Sequence, residues 1–272
     1  MEIIRPKLDI VFKRLFQKDM NMLKAFVGDL LGIERGKIQS IEVLNPENQP
    51  DDIEGKQSIL DLKLRVDGDI VNVEIQLNNT GFFKERVIFY WAKIFTDQLK
   101  KGEKYKKLER TITINIVDFK LFDCDSPYSS FSLYENDRKE LLTDKCSINF
   151  FELAKIDNVI DKNDHKKLWL QFLKAETEED LTMLNKTEVP EIKQAVVFLH
   201  EMSADEEMKE RARSREKQIR DQLSAIDYAA EAAEKRGREE GREEKEAKIV
   251  ANLRKMGMPE EFIKQAIEEA NN

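Results

Sequence analysis

The sequence predicts an α/β protein: a mixed sheet flanked by helices, followed by a long helical C-terminal region. Three observations lead there. Between Ser58 and Leu77 two alternating apolar–polar runs flank Asp67-Gly68, the pattern of half-buried strands joined by a tight turn. Around that hairpin the apolar periodicities run helix, strand, hairpin, helix, strand, then further strands. From Ser203 to Glu246 the chain has few breakers and is rich in Glu, Lys, Arg and Ala.

The elements follow in order. Lys7 to Leu31 has helical spacing, through Ile10, Phe12, Leu15 and Phe16 to Leu30 and Leu31, with Gly32 as its stop. Asp9 falls in the first turn, where the helix dipole favours an acid. Ile38 to Leu44 reads as a strand and 45–52 as a loop. On the hairpin, Leu60, Leu62, Leu64 and Val66 share one face with Val71, Val73, Ile75 and Leu77 as their counterparts. The other face holds Asp61, Lys63 and Arg65, then Asn72, Glu74, Gln76 and Asn78. Phe82 to Leu99 is a helix with an aromatic stripe, ended by Gly102. Thr111 to Val117 alternates as a central strand should, and Phe131 to Tyr134 and Ile148 to Leu153 are expected as further strands. Helices resume at Asp164, and Pro190 marks a boundary among them. After the long charged helix, Ala247 to Met256, a Gly257 cap and a start at Pro259 suggest a terminal helical pair. Three regions result: 1–160, a helical extension 161–202, and 203–272, a long charged helix and terminal helical pair for either oligomerisation or DNA contact.

Composition narrows the function. Apolar residues at 40% supply a core, and 37% charged residues point to long exposed helices. No run approaches about 20 consecutive apolar residues, so no membrane helix is expected, and the N-terminus lacks a signal-peptide pattern. Cys124 and Cys146 are too few for a disulfide scaffold or Cys-based zinc site, and a cytoplasmic protein is expected. Net charge is −8, but unevenly spread: residues 1–120 hold 21 basic against 19 acidic side chains, the rest 25 against 35. Lys100, Lys101, Lys104, Lys106, Lys107 and Arg110 form a local basic run, which is either a phosphate-contacting patch or a solvated helix end. His165 and His200 lie far in sequence from the cysteines and the hairpin acids, and no Gly-rich phosphate loop is present.

The hairpin carries the chemistry. With a two-residue turn at Asp67-Gly68, paired positions add to 135, so Asp61 lies across from Glu74. Like charges directly opposite are destabilising and call for a cation; Mg²⁺, which takes oxygen ligands, answers that need. The alternative is a solvated face with Lys63 and Arg65 as neighbours. The Asp and Glu-x-Gln spacing resembles the active site of the PD-(D/E)XK nuclease superfamily. The wider chain resembles its recombination-promoting nuclease / putative transposase family: Lys7-Leu-Asp9-Ile-Val-Phe12-Lys13, Arg86 to Tyr90, Gln98 to Tyr105, and the strand Thr111 to Phe119 all match.

That resemblance implies a restriction-endonuclease-like fold and hydrolysis of DNA phosphodiesters with Mg²⁺, for which Mn²⁺ can substitute. Asp61, Glu74 and the backbone carbonyl of Ile75 would hold the ion. Gln76 stands where the superfamily has Lys, as is usual in this family; it orients water or a phosphate oxygen but supplies no charge. Lys63 or Lys56 is then a source of the missing cation, Asp9 an added acid, Arg86 and Gln98 polar residues facing the site, and Lys101, Lys104, Lys106 and Lys107 a DNA contact. The competing reading is a non-catalytic DNA-binding or assembly module that keeps the fold, and the −8 charge and absent Lys speak for it.

Overall fold

The computed structural model describes residues 2–34, 36–44, 62–79 and 81–264. The sheet has six strands, β1 (Ile41–Val43), β2 (Leu62–Val66), β3 (Asp69–Gln76), β4 (Thr111–Val117), β5 (Tyr128–Phe131) and β6 (Cys146–Glu152), in the order β1-β2-β3-β4-β6-β5. It is mixed: β3, β4 and β6 run parallel, and the outer pairings are antiparallel.

The central hairpin has the expected register. Val66 pairs with Asp69 and Leu62 with Val73. Asp67 (φ 49°) and Gly68 (φ 100°) both take the left-handed conformation that the two-residue hairpin turn matching strand twist requires. The Asp67 carboxylate accepts from the backbone N–H of Gln39 (3.1 Å) and Ser40 (2.6 Å) and from the Ser40 hydroxyl (3.0 Å). That bonding shortens the strand expected over Ile38 to Leu44 to three residues.

α3 (Phe83–Thr96) covers one face of the sheet. Phe83 and Val87 pack with Val117, Cys146, Ile148 and Phe150, and Trp91 donates its indole N–H to the Thr111 carbonyl at 3.0 Å. The opposite face, with Leu62, Leu64, Val71, Val73, Ile112, Ile114 and Ile116, is buried as well. The helices α1 (Asp9–Lys18), α2 (Met20–Leu31), α4 (His165–Lys174), α5 (Glu178–Asn185) and α6 (Pro190–Ala204) form a second core, in which Phe12, Phe16, Phe26, Trp169 and Phe172 meet ring to ring. Lys166 of α4 lies 5.2 Å from the ring of Tyr128 on β5.

Several boundaries differ from the sequence reading. Lys7 to Leu31 is two helices, because the Asp19 carboxylate caps α2 by accepting from the N–H of Asn21 and Met22. The edge strand β5 lies at Tyr128–Phe131, three residues before the expected start; Tyr134 makes only an isolated bridge to Leu141. β6 stops at Glu152, since Leu153 begins a 3-10 turn.

Residues 1–213 and 214–272 are two compact units. α7 (Glu206–Lys255) is a 50-residue helix, buried only at Met208 and Ala212. In the second unit Gly257 (φ 76°) closes it, with Met258 N–H bonded to the Leu253 carbonyl at 3.1 Å, and a helical stretch follows at 260–264. No helix among the described residues is long and apolar enough to cross a membrane.

Candidate active site

Glu74 lies near the C-terminal end of β3, the point where an antiparallel hairpin becomes a parallel sheet. The solvated-face reading fails for it. Glu74 is only 8% exposed and its neighbour on that face, Asn72, 1%. The reason is α3, whose apolar side needs cover and lies over this face; the Thr and Asn positions of β4 line it too. Asn115, the register partner of Glu74, donates to the Thr113 hydroxyl (3.0 Å) and the Asn149 carbonyl (2.9 Å).

One cation answers the buried acid. Arg86, in the first turn of α3, donates through Nη2 to Glu74 Oε1 at 2.9 Å and to Gln76 Oε1 at 2.6 Å. The Gln76 amide nitrogen donates to the Asn78 carbonyl at 2.9 Å, which fixes which way the amide faces. Among the described residues no donor reaches Glu74 Oε2. Burial pushes the Glu74 carboxyl above the ordinary carboxylate range, against the opposing charge and hydrogen bond of Arg86.

Other candidates are placed as follows. Lys63 pairs with Asn72, a diagonal step of roughly 7–8 Å from Glu74 on the same face. Ile75 is buried between its neighbours with its register partner Ile116. Asp9 is the first residue of α1 and half-buried. It stands two residues after Lys7, which bridges Asp118 (2.8 Å) and Glu176 (2.9 Å). The Asp118 N–H in turn donates to the Gln76 carbonyl at 2.9 Å, so the start of α1 lies at the same end of the sheet as Glu74. Asp61 and Lys56 lie outside the described residues.

Gln98 is not brought to this site. It donates to the Thr111 hydroxyl (2.8 Å) and accepts from the Glu109 N–H (2.7 Å) at the start of β4. Thr111 is level with Ile70, four residues from Glu74, or roughly 13 Å along a strand. Lys101, Lys104, Lys106 and Lys107 are exposed in the segment leading to that same far end, and Lys107 pairs with Glu103 at 2.7 Å.

Sequence reading missed the Lys7–Asp118–Glu176 cluster. Lys7 is buried, which lowers its pKa, yet the hydrogen bonds and charges of Asp118 and Glu176 outweigh this and raise it. Its partners are 111 and 169 residues away, so no local pattern announces them. Among the described residues no three His, Cys, Asp or Glu side chains converge as a metal cluster.

Glu74 thus sits buried on the second strand of the hairpin, two residues before Gln76 and beside the parallel strand β4. The model of the PD-(D/E)XK nuclease family transposases matches residues 6–229. The chain belongs to this family. Neither curated proteins nor solved structures yield a match to it. Membership in the PD-(D/E)XK transposase nucleases agrees with the mixed sheet and flanking helices, and nucleases of this kind typically use a divalent metal.

The residues fit such an ion. Glu74 Oε2 has no protein donor among the described residues. The Ile75 carbonyl, next in the chain, is a neutral oxygen, the donor type a hard cation takes.

Proposed function

We propose that the protein is a DNA endonuclease that hydrolyses phosphodiester bonds with Mg²⁺ or Mn²⁺. The observation that carries this reading is the buried carboxylate of Glu74 on the second strand of the hairpin, held through one oxygen by Arg86. Glu74, the Ile75 carbonyl and Asp61 would hold the ion. When bound, a divalent cation supplies the charge that polarises a phosphoryl oxygen and acidifies a water. The Gln76 amide, its oxygen engaged by Arg86, serves as a neutral hydrogen-bonding group that orients the attacking water. Lys63 adds positive potential to the same face. Asp9 is an auxiliary acid at that end of the sheet.

The decisive test is cleavage of supercoiled plasmid by the full chain and by Glu74→Ala, with Mg²⁺, Mn²⁺ or EDTA. Metal-dependent nicking by the wild type, reduced by roughly 100-fold or more in the variant, is the expected result. Equal cleavage by both, or none by the folded wild type, overturns the reading. A second reading, a non-catalytic DNA-binding or assembly module, draws on one observation: the basic segment 101–107 lies at the opposite end of the strands from Glu74. Titration with Mn²⁺ separates the two. Binding abolished by Asp61→Asn supports the nuclease, and no binding by the wild type supports the module.

A further inference from the structure

Gln76 carries no charge, so any protein cation that assists the metal on the phosphate comes from elsewhere in the chain. Lys63 has Asn72, not Glu74, as its direct cross-strand neighbour. Arg86 touches both Glu74 and Gln76, and three features of its setting go beyond a simple ion pair. A single nitrogen, Nη2, serves both acceptors. Nε is buried and has no hydrogen-bond partner. The guanidinium is also backed by the Phe83 ring, 4.9 Å from its centroid, and Phe83 and Val87 are buried in the core beneath α3.

A guanidinium presents its N–H groups as a planar fork that matches two oxygens of a phosphate. Here Nη2 is engaged while Nε, inside the protein where unmade hydrogen bonds are costly, points to no acceptor. The side chain as a whole is 32% exposed, so an incoming oxyanion would meet the accessible part of the guanidinium and not Nε.

We propose that Arg86 is the phosphate-binding cation of this site, held in reserve on Glu74 until substrate and metal arrive. In the free protein it neutralises the buried carboxylate. In the working complex Glu74 would hold the divalent ion instead, and Arg86 would hold non-bridging oxygens of the phosphodiester to be cut. This inference rests on the nuclease reading above. It assigns Arg86 two opposed effects: competition with the metal, and recruitment of the phosphate.

The test exploits that opposition. Mn²⁺ affinity without DNA is measured by calorimetry, and plasmid cleavage at saturating Mn²⁺, for wild type, Arg86→Gln and Arg86→Lys. With its competitor removed, Arg86→Gln is expected to bind Mn²⁺ roughly tenfold more tightly yet cleave roughly 100-fold or more slowly. Arg86→Lys leaves Glu74 a cation but no fork, so its Mn²⁺ affinity stays near that of the wild type while cleavage still falls. It also answers the question if the Gln variant fails to fold. Weakened Mn²⁺ binding together with lost cleavage in Arg86→Gln means a structural role and overturns the inference, as does wild-type cleavage by Arg86→Lys. A wild type that neither binds Mn²⁺ nor cuts DNA defeats the nuclease reading itself, and this inference with it.

Discussion

Glu74 and Glu152 are two buried glutamates on strands that both run parallel to β4, and they are satisfied very differently. Glu152 has no exposed surface. Its Oε1 accepts from the N–H of Leu121 (2.5 Å) and Phe122 (3.2 Å), and its Oε2 from Lys155 Nζ (2.7 Å). Lys155 in turn donates to the carbonyls of Phe122 (2.8 Å) and Ser126 (3.4 Å). Every atom of that pair is used to tie the loop after β4 to the end of β6. Glu74 has one oxygen on a shared guanidinium nitrogen and the other without a donor among the described residues. The two acids are alike in burial and differ in how many protein donors meet them.

The sharpest way to break this comparison is Glu152→Ala. It leaves Lys155 charged and enclosed and two backbone N–H groups without acceptors, and is expected to cost about 3–5 kcal/mol in urea unfolding. Mn²⁺ binding by the folded fraction is expected to stay the same. A mild stability loss would make Glu152 no better satisfied than Glu74.

Glu74→Gln is expected to act the other way, with stability at neutral pH within about 1 kcal/mol of the wild type or above it. The sign follows from the raised carboxyl. The native state keeps its proton to higher pH than the unfolded chain, so the contribution of this group is full below about 4.5 and is lost as pH rises through the folded value. Thermal unfolding from pH 4 to 8 is expected to show that decline in the wild type and a shallower one in the variant. A steeper decline in Glu74→Gln would break the comparison.

The smallest effect sharpens the contrast between the two glutamines flanking α3. Gln98→Ala removes three bonds at the start of β4 and is expected to cost about 1 kcal/mol, with plasmid cleavage near the wild-type rate. Loss of cleavage without loss of stability would return Gln98 to the active site.

Much of this was legible in the sequence. Alternation and Asp67-Gly68 gave the hairpin and its register, because side-chain period and turn conformation are local properties. Arg86 was legible as a polar residue facing the hairpin, and it does meet Glu74 and Gln76. The burial of the Glu74 face was not, since it depends on α3 folding back over the sheet and on Thr113 and Asn115 turning polar atoms inward. Nor was the displacement of β5, a four-residue edge strand containing Ser129 and Ser130 with little pattern to read. The break between α1 and α2 rests on one capping bond set at Asp19. Asp61 was read as the partner acid, and its role stays with the experiments above.

The topology around β3 also sets when the site comes into being. Its antiparallel partner β2 is delivered by a two-residue turn, and such hairpins close in about 1–10 μs. Its parallel partner β4 begins 35 residues after β3 ends, beyond the whole of α3, and pairing of that kind is slower because a long loop must close first. In the interval Glu74 is an ordinary hydrated carboxylate and Arg86 an ordinary hydrated guanidinium. The acid acquires its unusual environment only when the crossover docks, so the site is a product of the long-range pairing and not of the hairpin alone.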